Sequence, residues 1–249
     1  MRKIPKIIHQ IWFDFGNGKD MGKHNKELVR RAMDKNNDYF FILWREENAE
    51  NLIKKCYPKY WMTYNMLEPI IKKVDYLRFF ILHKYGGIYL DIDYYCIRPF
   101  DDYFRDNPID NNKDIILSYS CYGDWVTNSI MMSRKNSPFW IYCMDRVKDE
   151  SLFPIWGDIQ QHIEISCTAG PYFMTEIFKT YKGEENIRVV PPPIFLSKNF
   201  NDAIYSWHEG HTSWINPKDF ICPKFMSIFM IIIVAYFLTS GDMRKNIKI

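Results

Sequence analysis

The sequence lacks paired cysteines, an excess of one charge and internal repeats. Its six cysteines stand singly, without the C-x-x-C pairs that a structural zinc site or a thioredoxin-like site requires, so we interpret them mainly as buried thiols. Disulfide bonds are possible if the domain is lumenal, because the redox state of the compartment decides whether cysteines form them. Lys and Arg total 33 against 30 Asp and Glu, which argues against a nucleic-acid-binding protein and favours a small or locally recognised partner.

The beginning of the chain lacks the features of a signal peptide. Residues 1–10 alternate charges with short apolar stretches and have neither a continuous apolar region nor a small-residue cleavage site. We therefore expect the mature chain to begin at Met1, which favours a cytoplasmic main domain.

Near the other end, residues 225–238 (FMSIFMIIIVAYFL) form an uncharged apolar run that is followed by a basic tail. This predicts a membrane anchor within residues 224–249, behind a single main domain over residues 1–223. A spanning helix needs about 20 apolar residues, so a buried helix in an otherwise cytoplasmic protein is the alternative. The basic tail favours the cytoplasmic side for itself, which conflicts with a cytoplasmic main domain, so the orientation stays open.

The apolar pattern predicts strands that alternate with helices. A short β-branched run ends at Trp12, a helix is expected near residues 25–33, and Tyr39–Trp44 is a continuous apolar run suited to a strand buried on both faces. Further elements are expected near 69–85, 115–120, 129–133, 138–147, 172–179 and 187–190. Such alternation predicts an α/β fold with a mostly parallel sheet, helices on both faces, and ligands outside the carboxyl ends of the strands.

The motif Asp91-Ile-Asp93 ends an apolar run that begins at Gly87. If the strand continues through it, both carboxylates project from one face, roughly 6 to 7 Å apart at ~3.3 Å per residue. Carboxylate pairs suit Mg²⁺ or Mn²⁺, whose remaining ligands are often waters and substrate phosphates. Gly86 and Gly87 permit a sharp turn and close approach to the backbone, so we count Gly87 among the binding residues. A chance D-x-D is the alternative.

Two further segments carry candidate site residues. Asp75 and Arg78 are three positions apart on a largely apolar helix, where they either bind sugar hydroxyls and a diphosphate oxygen or form an internal ion pair. The segment at 206–214 contributes a third metal ligand or an aromatic cover for a nucleotide, or else ordinary packing near a membrane interface. Its candidates are Trp207, His208, Glu209, His211 and Trp214.

Taken in order, five segments resemble the DXD-containing sugar glycosyltransferase family, over roughly residues 4–214. The family includes fungal outer-chain and inositol-phosphoceramide mannosyltransferases and is more distantly similar to clostridial toxin glucosyltransferases. The segments are IPKIIHQIW at 4–12, DYLRFFILHKYGGIYLDID at 75–93, TNSIMMS at 127–133, TAGPYF at 168–173 and HxxxxSW at 208–214. The central segment is highly specific.

This resemblance implies a GT-A fold and a catalytic domain over residues 1–223. It implies Mn²⁺ or Mg²⁺ as cofactor and retaining transfer of a hexose from a nucleotide-diphosphate sugar, such as GDP-mannose or a UDP-hexose. The acceptor is then a glycan, glycolipid or glycoprotein hydroxyl. The chain is accordingly expected to be an enzyme that is membrane-associated through residues 225–238 if that run is an anchor.

The resemblance also implies residue roles. Trp12 stacks on the donor base, Asp75 and Arg78 contact the sugar and diphosphate, and Asp91 lies by the ribose and sugar. Asp93 binds the metal directly.

Three further positions match family features. Asn128 lies near the acceptor, and Gly170 with Pro171 forms a turn that shapes the pocket. His208 aligns best with the family's late histidine. Family members often read HHxxGSW where this chain reads HEGHTSW, so the choice among His208, Glu209 and His211 stays open.

Under this interpretation a cation neutralises the departing diphosphate, so the leaving group needs no proton. No assured nucleophile is predicted on the far face of the sugar, and we expect the acceptor hydroxyl to attack from the front face.

Two other function classes compete with this interpretation. A haloacid-dehalogenase-like phosphotransferase also uses D-x-D, but on its first strand and with a small residue where this chain has Tyr95. A catalytically silent, membrane-tethered sugar-nucleotide-binding domain would keep the fold without turnover.

Overall fold

The protein is described by a computed structural model, over residues 2–14, 20–121, 123–148 and 164–210. The strands are β1 Ile7–Ile11, β2 Phe40–Trp44, β3 Gly87–Leu90, β4 Tyr94–Cys96, β5 Ile115–Tyr119, β6 Val126–Ser133, β7 Ile187–Val190 and β8 Ser206–His208. The helices are α1 Lys23–Lys35, α2 Glu46–Cys56, α3 Trp61–Met66, α4 Ile70–Tyr85, α5 Phe100–Asp106, α6 Pro138–Met144, α7 Pro171–Thr180 and α8 Pro192–Phe195.

Six strands form the central sheet, in the order β2-β1-β3-β6-β5-β7. β1 is parallel to β2 and β3, and β5 is parallel to β7, whereas β6 runs antiparallel to both of its neighbours. A second sheet pairs β4 with β8, antiparallel. The predicted α/β class with a mostly parallel sheet is confirmed.

Helices cover both faces of the central sheet. Because side chains alternate along β3, Tyr89 packs into the cluster with α2, α4, α6 and α7, and Ile88 and Leu90 pack into the cluster with α5 and α8. Burial of each large apolar side chain contributes about 1.5–3 kcal/mol. The sheet is therefore anchored from both sides and holds the carboxyl end of β3 in place.

The Gly86-Gly87 pair joins α4 to β3 where no side chain fits. Both glycines have positive φ, +65° and +95°, a region that L-residues rarely adopt. A Cβ on Gly86 would lie 2.6 Å from the Lys135 nitrogen, and one on Gly87 would lie 2.5 Å from the Ile7 carbonyl oxygen. The predicted sharp turn and close backbone approach both exist, and the approach is between β1 and β3.

Two sequence-based expectations are wrong in detail. β2 is an edge strand with Phe40 79% exposed, so its apolar run is not buried on both faces. The strand expected to continue to Asp93 ends at Leu90, and Asp91 begins a turn. The helices α2, α3, α5 and α8 and the strands β4 and β8 were not predicted.

Residues 225–238, the predicted membrane anchor, lie outside the described residues. Within the described part of the chain no helix is long and apolar enough to cross a membrane. The division at residue 223 stays a prediction.

Candidate active site

The D-x-D segment lies at the carboxyl end of β3, at the edge of the sheet where ligands bind in α/β folds. The Asp91 N–H donates to the Ser129 carbonyl at 2.9 Å, which continues the ladder between β3 and β6. The buried Gln10 amide donates to the Asp91 carbonyl at 3.0 Å. Two neighbouring strands therefore fix the backbone of Asp91.

Asp91, Asp93 and His208 converge. One ligand atom from each side chain lies within 4.8 Å of the others. The turn at residues 91–93 produces this approach, not the strand alternation that we expected, because β3 has already ended. Two carboxylates and an imidazole form a donor set suited to Mn²⁺ or Mg²⁺ with substrate oxygens as further ligands.

His208 reaches this cluster through the second sheet. β8 pairs with β4 so that Tyr94 lies opposite His208, and the two rings stack with centroids 4.6 Å apart at 18°. The His208 Nε2–H donates to the Asp93 carboxylate at 3.1 Å. Burial lowers the pKa of His208, but the Asp93 carboxylate outweighs burial and the net pKa is raised.

Arg78 connects the cluster to α4. Its guanidinium contacts the Asp75 carboxylate at 2.8 Å and the Asp91 carboxylate at 3.1 Å, and donates to the Asn128 carbonyl at 3.1 Å. The Asn128 amide donates to Asp75 at 3.1 Å and to the Ala169 carbonyl at 3.3 Å. The predicted pair of Asp75 and Arg78 is an ion pair, and it is linked directly to the D-x-D motif.

The electrostatics of this network follow from its burial. Burial raises the pKa of Asp75 to about 6 against the opposing effect of Arg78. Burial also raises the pKa of Asp91, again opposed by Arg78. For Arg78, burial alone would lower the pKa, but the Asp75 and Asp91 carboxylates raise it above its usual value. One permanent cation thus serves the buried Asp75 carboxylate and the partly exposed Asp91 carboxylate, and its Nε lacks a hydrogen-bond partner among the described residues.

Sequence reasoning missed several residues of the site. The Tyr89 hydroxyl donates to the Asp91 carboxylate, and the Arg78 guanidinium lies 4.8 Å from the Tyr89 ring centroid. The Tyr94 hydroxyl shares a hydrogen bond with Ser129 at 2.8 Å, and Ser129 shares one with Thr127 at 2.9 Å. Tyr89 could have been predicted, because it precedes Asp91 by two positions, which is the spacing of side chains on one face of a strand.

His208 and Glu209, two of the three candidate metal ligands in segment 206–214, lie in different surroundings. Glu209 is outside the three-residue cluster, and its carboxylate accepts from His24 Nε2 at 2.6 Å while its N–H donates to the Asp93 carbonyl at 3.0 Å. Trp207 lies edge-on to Phe200, with ring centroids 5.5 Å apart. His211 and Trp214 are outside the described residues.

Trp12 and the Gly170-Pro171 turn stand at the borders of the site. Trp12 directly follows β1 and packs, half-buried, against the small cluster that contains Ile92, the middle residue of D-x-D. Gly170 precedes α7, and a Cβ there would lie 2.8 Å from the Ser166 Cα. The roles of these residues toward a substrate stay predictions.

Comparison with known proteins agrees with the geometry. Residues 22–115 match the family described as "Glycosyltransferase sugar-binding region containing DXD motif". This range contains α4, the two glycines and the D-x-D turn, and it confirms the family resemblance.

Two relatives cover most of the chain. A mannosyl phosphorylinositol ceramide synthase of Saccharomyces cerevisiae is 32% identical over 216 residues, 85% of this chain and 52% of the relative. Inositol phosphoceramide mannosyltransferase 1 of Schizosaccharomyces pombe is 26% identical over 260 residues, 99% of this chain and 77% of the relative. The chain thus spans about half the length of the first relative.

A solved structure has a similar fold. The structure titled PaToxG Glycosyltransferase superposes with a TM-score of 0.50 at 19% identity, over 71% of this chain and 69% of that chain. This likeness supports the assignment of a glycosyltransferase fold.

Proposed function

We propose that the chain, whose residues 22–115 match the glycosyltransferase sugar-binding region with the DXD motif, is a metal-dependent, retaining hexosyltransferase. It moves a hexose from a nucleotide-diphosphate sugar to a hydroxyl of a glycan or glycolipid. The observation that carries the proposal is the convergence of Asp91, Asp93 and His208 beside the ion pair of Arg78 and Asp75.

The cluster fits a divalent cation, and Asp93 and His208 are its proposed protein ligands, with Asp91 beside them. One oxygen of Asp91 already accepts from Arg78 and Tyr89, which suits Asp91 for orienting the ribose and sugar. Bound there, Mn²⁺ or Mg²⁺ would supply positive charge that stabilises the departing diphosphate.

Arg78 and Asp75 act on the donor in this proposal. Arg78 is permanently charged and held on both sides by carboxylates, so its guanidinium is preorganised at low reorganisation cost toward a diphosphate oxygen. Asp75, fixed by Asn128, accepts from a sugar hydroxyl. Retention then follows from front-face attack by the acceptor hydroxyl, without a covalent glycosyl-enzyme adduct.

The proposed sugar is mannose and the proposed acceptor is a glycolipid. Support comes from the names of the relatives, which are a mannosyl phosphorylinositol ceramide synthase and an inositol phosphoceramide mannosyltransferase. A binding panel of GDP- and UDP-sugars identifies the donor base and sugar.

Donor hydrolysis tests the proposal without knowledge of the acceptor. The purified chain with Mn²⁺ is expected to split at least one nucleotide-sugar slowly, and Asp93→Asn is expected to abolish this. Asp145→Asn is the matched control, because Asp145 is a surface carboxylate bound to Lys59 and Tyr60. Equal hydrolysis by wild type and Asp93→Asn, or cleavage of phosphate esters in place of nucleotide-sugars, overturns the proposal.

The silent-domain alternative makes a different prediction in the same assay. A domain that only binds sugar nucleotides would bind a donor in the panel and release no sugar from it, with or without a glycolipid acceptor. The dehalogenase-like alternative is weakened by the topology, because D-x-D follows the third strand in chain order.

A further inference from the structure

Trp207 does not point into the candidate active site. It neighbours His208 on β8, and successive side chains of a strand face opposite ways, so the face that carries Trp207 is the outer face of the β4–β8 sheet. Trp207 pairs with Tyr95 of β4, and the ring of Phe200 lies edge-on to both, at 5.3 Å from Tyr95 and 5.5 Å from Trp207. We call Tyr95, Phe200 and Trp207 the aromatic patch.

The aromatic patch is open to solvent. Phe200 is 44% exposed, and Tyr95 and Trp207 are partly exposed. Ile204, in the segment between Phe200 and β8, is 39% exposed. Contiguous exposed rings on a soluble surface mark sites that contact another apolar or amphipathic surface.

A basic helix borders the aromatic patch. α1 packs against β4, and the Arg31 guanidinium lies 3.9 Å from the Tyr95 ring centroid while its Nε donates to the Cys96 carbonyl at 2.7 Å. α1 carries five basic residues against two acidic ones, and they are Lys23, Lys26, Arg30, Arg31 and Lys35 against Glu27 and Asp34. Lys26 pairs with Asp20 and Arg30 pairs with Asp34. With Asp20 counted, five basic residues still face three acidic ones, so the surface beside the rings keeps an excess of positive charge.

We propose that the aromatic patch and α1 form a docking surface for an anionic lipid bilayer. Trp and Tyr rings have an apolar body and a polar edge, which suits the headgroup level of a membrane. Lys and Arg beside them are attracted to anionic headgroups. The choice of a bilayer as occupant rests on this charge complementarity and on the proposed function, in which the acceptor is a glycolipid.

The docking surface and the candidate active site share one two-stranded sheet. Tyr95 is two positions after Asp93, and Trp207 immediately precedes His208. The same two-stranded sheet thus presents a cation site on one side and the aromatic patch on the other.

Another exposed apolar surface lacks this charge bias and provides a control. α3 exposes Met62 and Met66, but the lysines beside it are neutralised, since Lys54 pairs with Glu50 and Lys59 pairs with Asp145. The Lys54 ammonium lies 4.1 Å from the ring centroid of Trp61 in α3. The same kinds of substitution, Trp to Phe and Lys to Glu, can therefore be made at this surface as controls.

Quenching of tryptophan fluorescence by brominated lipids tests the proposal on the full chain. Vesicles contain brominated phosphatidylcholine with or without phosphatidylserine. We expect anionic vesicles to quench less emission in Trp207→Phe than in wild type, because the variant lacks the ring that contacts the lipid. In Trp61→Phe the amount of quenched emission should equal that of wild type. Binding through residues 225–238 is common to all variants, so it does not produce this difference. If anionic vesicles quench equal amounts of emission from wild type and from Trp207→Phe, the proposal is overturned. A protein partner is then the alternative occupant of the patch.

Charge reversal tests the electrostatic part. Arg30→Glu with Lys35→Glu is expected to raise the vesicle concentration for half-maximal quenching on the order of tenfold, whereas Lys54→Glu with Lys59→Glu changes it little. Equal shifts in the two double variants, or equal quenching of Trp207 by phosphatidylcholine alone, overturn the proposal. Donor hydrolysis by the Arg30 and Lys35 variant should equal that of wild type. A wild type that is quenched but hydrolyses no donor would contradict the proposed function and leave the docking surface standing.

Discussion

Arg78 is the residue on which the buried charges of the site depend. It neutralises Asp75 and Asp91 through a planar guanidinium that reaches both carboxylates and a backbone carbonyl. A lysine has the same charge but a single donor centre, so it cannot reproduce these contacts.

Arg78→Lys is therefore expected to lower kcat for donor hydrolysis about 100-fold, the usual cost of losing a preorganised donor at the transition state. The measurement is steady-state hydrolysis of the best donor, with Arg30→Lys on the exposed face of α1 as control. A rate within threefold of wild type would contradict the role of the guanidinium.

His9 is a buried group whose titration affects folding and not the site. Its Nδ1 accepts from the Trp44 indole at 3.2 Å, and its Nε2–H donates to the Gly86 carbonyl at 2.9 Å, so the ring is neutral. Burial lowers the pKa of His9 from 6.5 to about 4. Between these values the unfolded chain binds a proton that the folded chain does not, so stability falls as the pH drops through this window.

The expected contribution of His9 to the loss of unfolding free energy is about 3 kcal/mol from pH 6.5 to pH 4, at about 1.4 kcal/mol per pKa unit. Urea unfolding of wild type and His9→Gln across this range measures it, because other groups contribute equally to both. His24→Gln should not remove the loss of stability at low pH, because the Glu209 carboxylate raises the pKa of His24, an effect opposite in sign to that of His9. A His9→Gln curve parallel to that of wild type would disprove the assignment.

The junction of α4 and β3 is the element that the sequence predicted best. Helical periodicity, the two glycines and the apolar run each have a local cause, so the order of helix, turn and strand was readable. The edge position of β2 could not be predicted from the sequence, because strand order depends on pairings between residues that are far apart in sequence. For the same reason the side of β8 that carries Trp207 followed only from its pairing with β4.

Gly87→Ala tests that junction. The new Cβ would meet the Ile7 carbonyl oxygen at 2.5 Å with φ at +95°, and strain of this kind costs of order 1–3 kcal/mol. We expect at least this loss in unfolding free energy by urea titration. Gly22→Ala is the control, since nothing lies within 4 Å of its Cβ position. Equal stability of the two variants would show that β1 and β3 can separate without cost.

At the scale of the molecule, the residues of the proposed cation site come from the ends of two sheets. Asp91 directly follows β3 of the central sheet, His208 lies in β8 of the smaller sheet, and the turn at residues 91–93 leads from β3 to β4. Asp91 and Asp93 could be predicted from the sequence because they lie only two positions apart. The position of His208 next to Asp93 could not be predicted, because it depends on the register of β4 with β8.

His208→Ala should therefore weaken Mn²⁺ binding without unfolding the central sheet. We expect at least about a tenfold loss of affinity, the cost of disturbing even an outer partner of a metal site. Calorimetric titration with Mn²⁺ and the far-UV circular dichroism spectrum measure the two effects, with His24→Ala as control. Unchanged Mn²⁺ affinity would remove His208 from the ligand set.

The pairing of β4 with β8 also orders events during biosynthesis. His208 and Asp93 are 115 positions apart, and β7, the last strand of the central sheet, is complete at Val190. At about 5–20 residues per second, His208 is added roughly one to four seconds after β7. A nascent chain in that interval contains the residues of all six central strands and both acidic side chains of the proposed cation site but not the imidazole, so this site is completed after the central sheet has been synthesised.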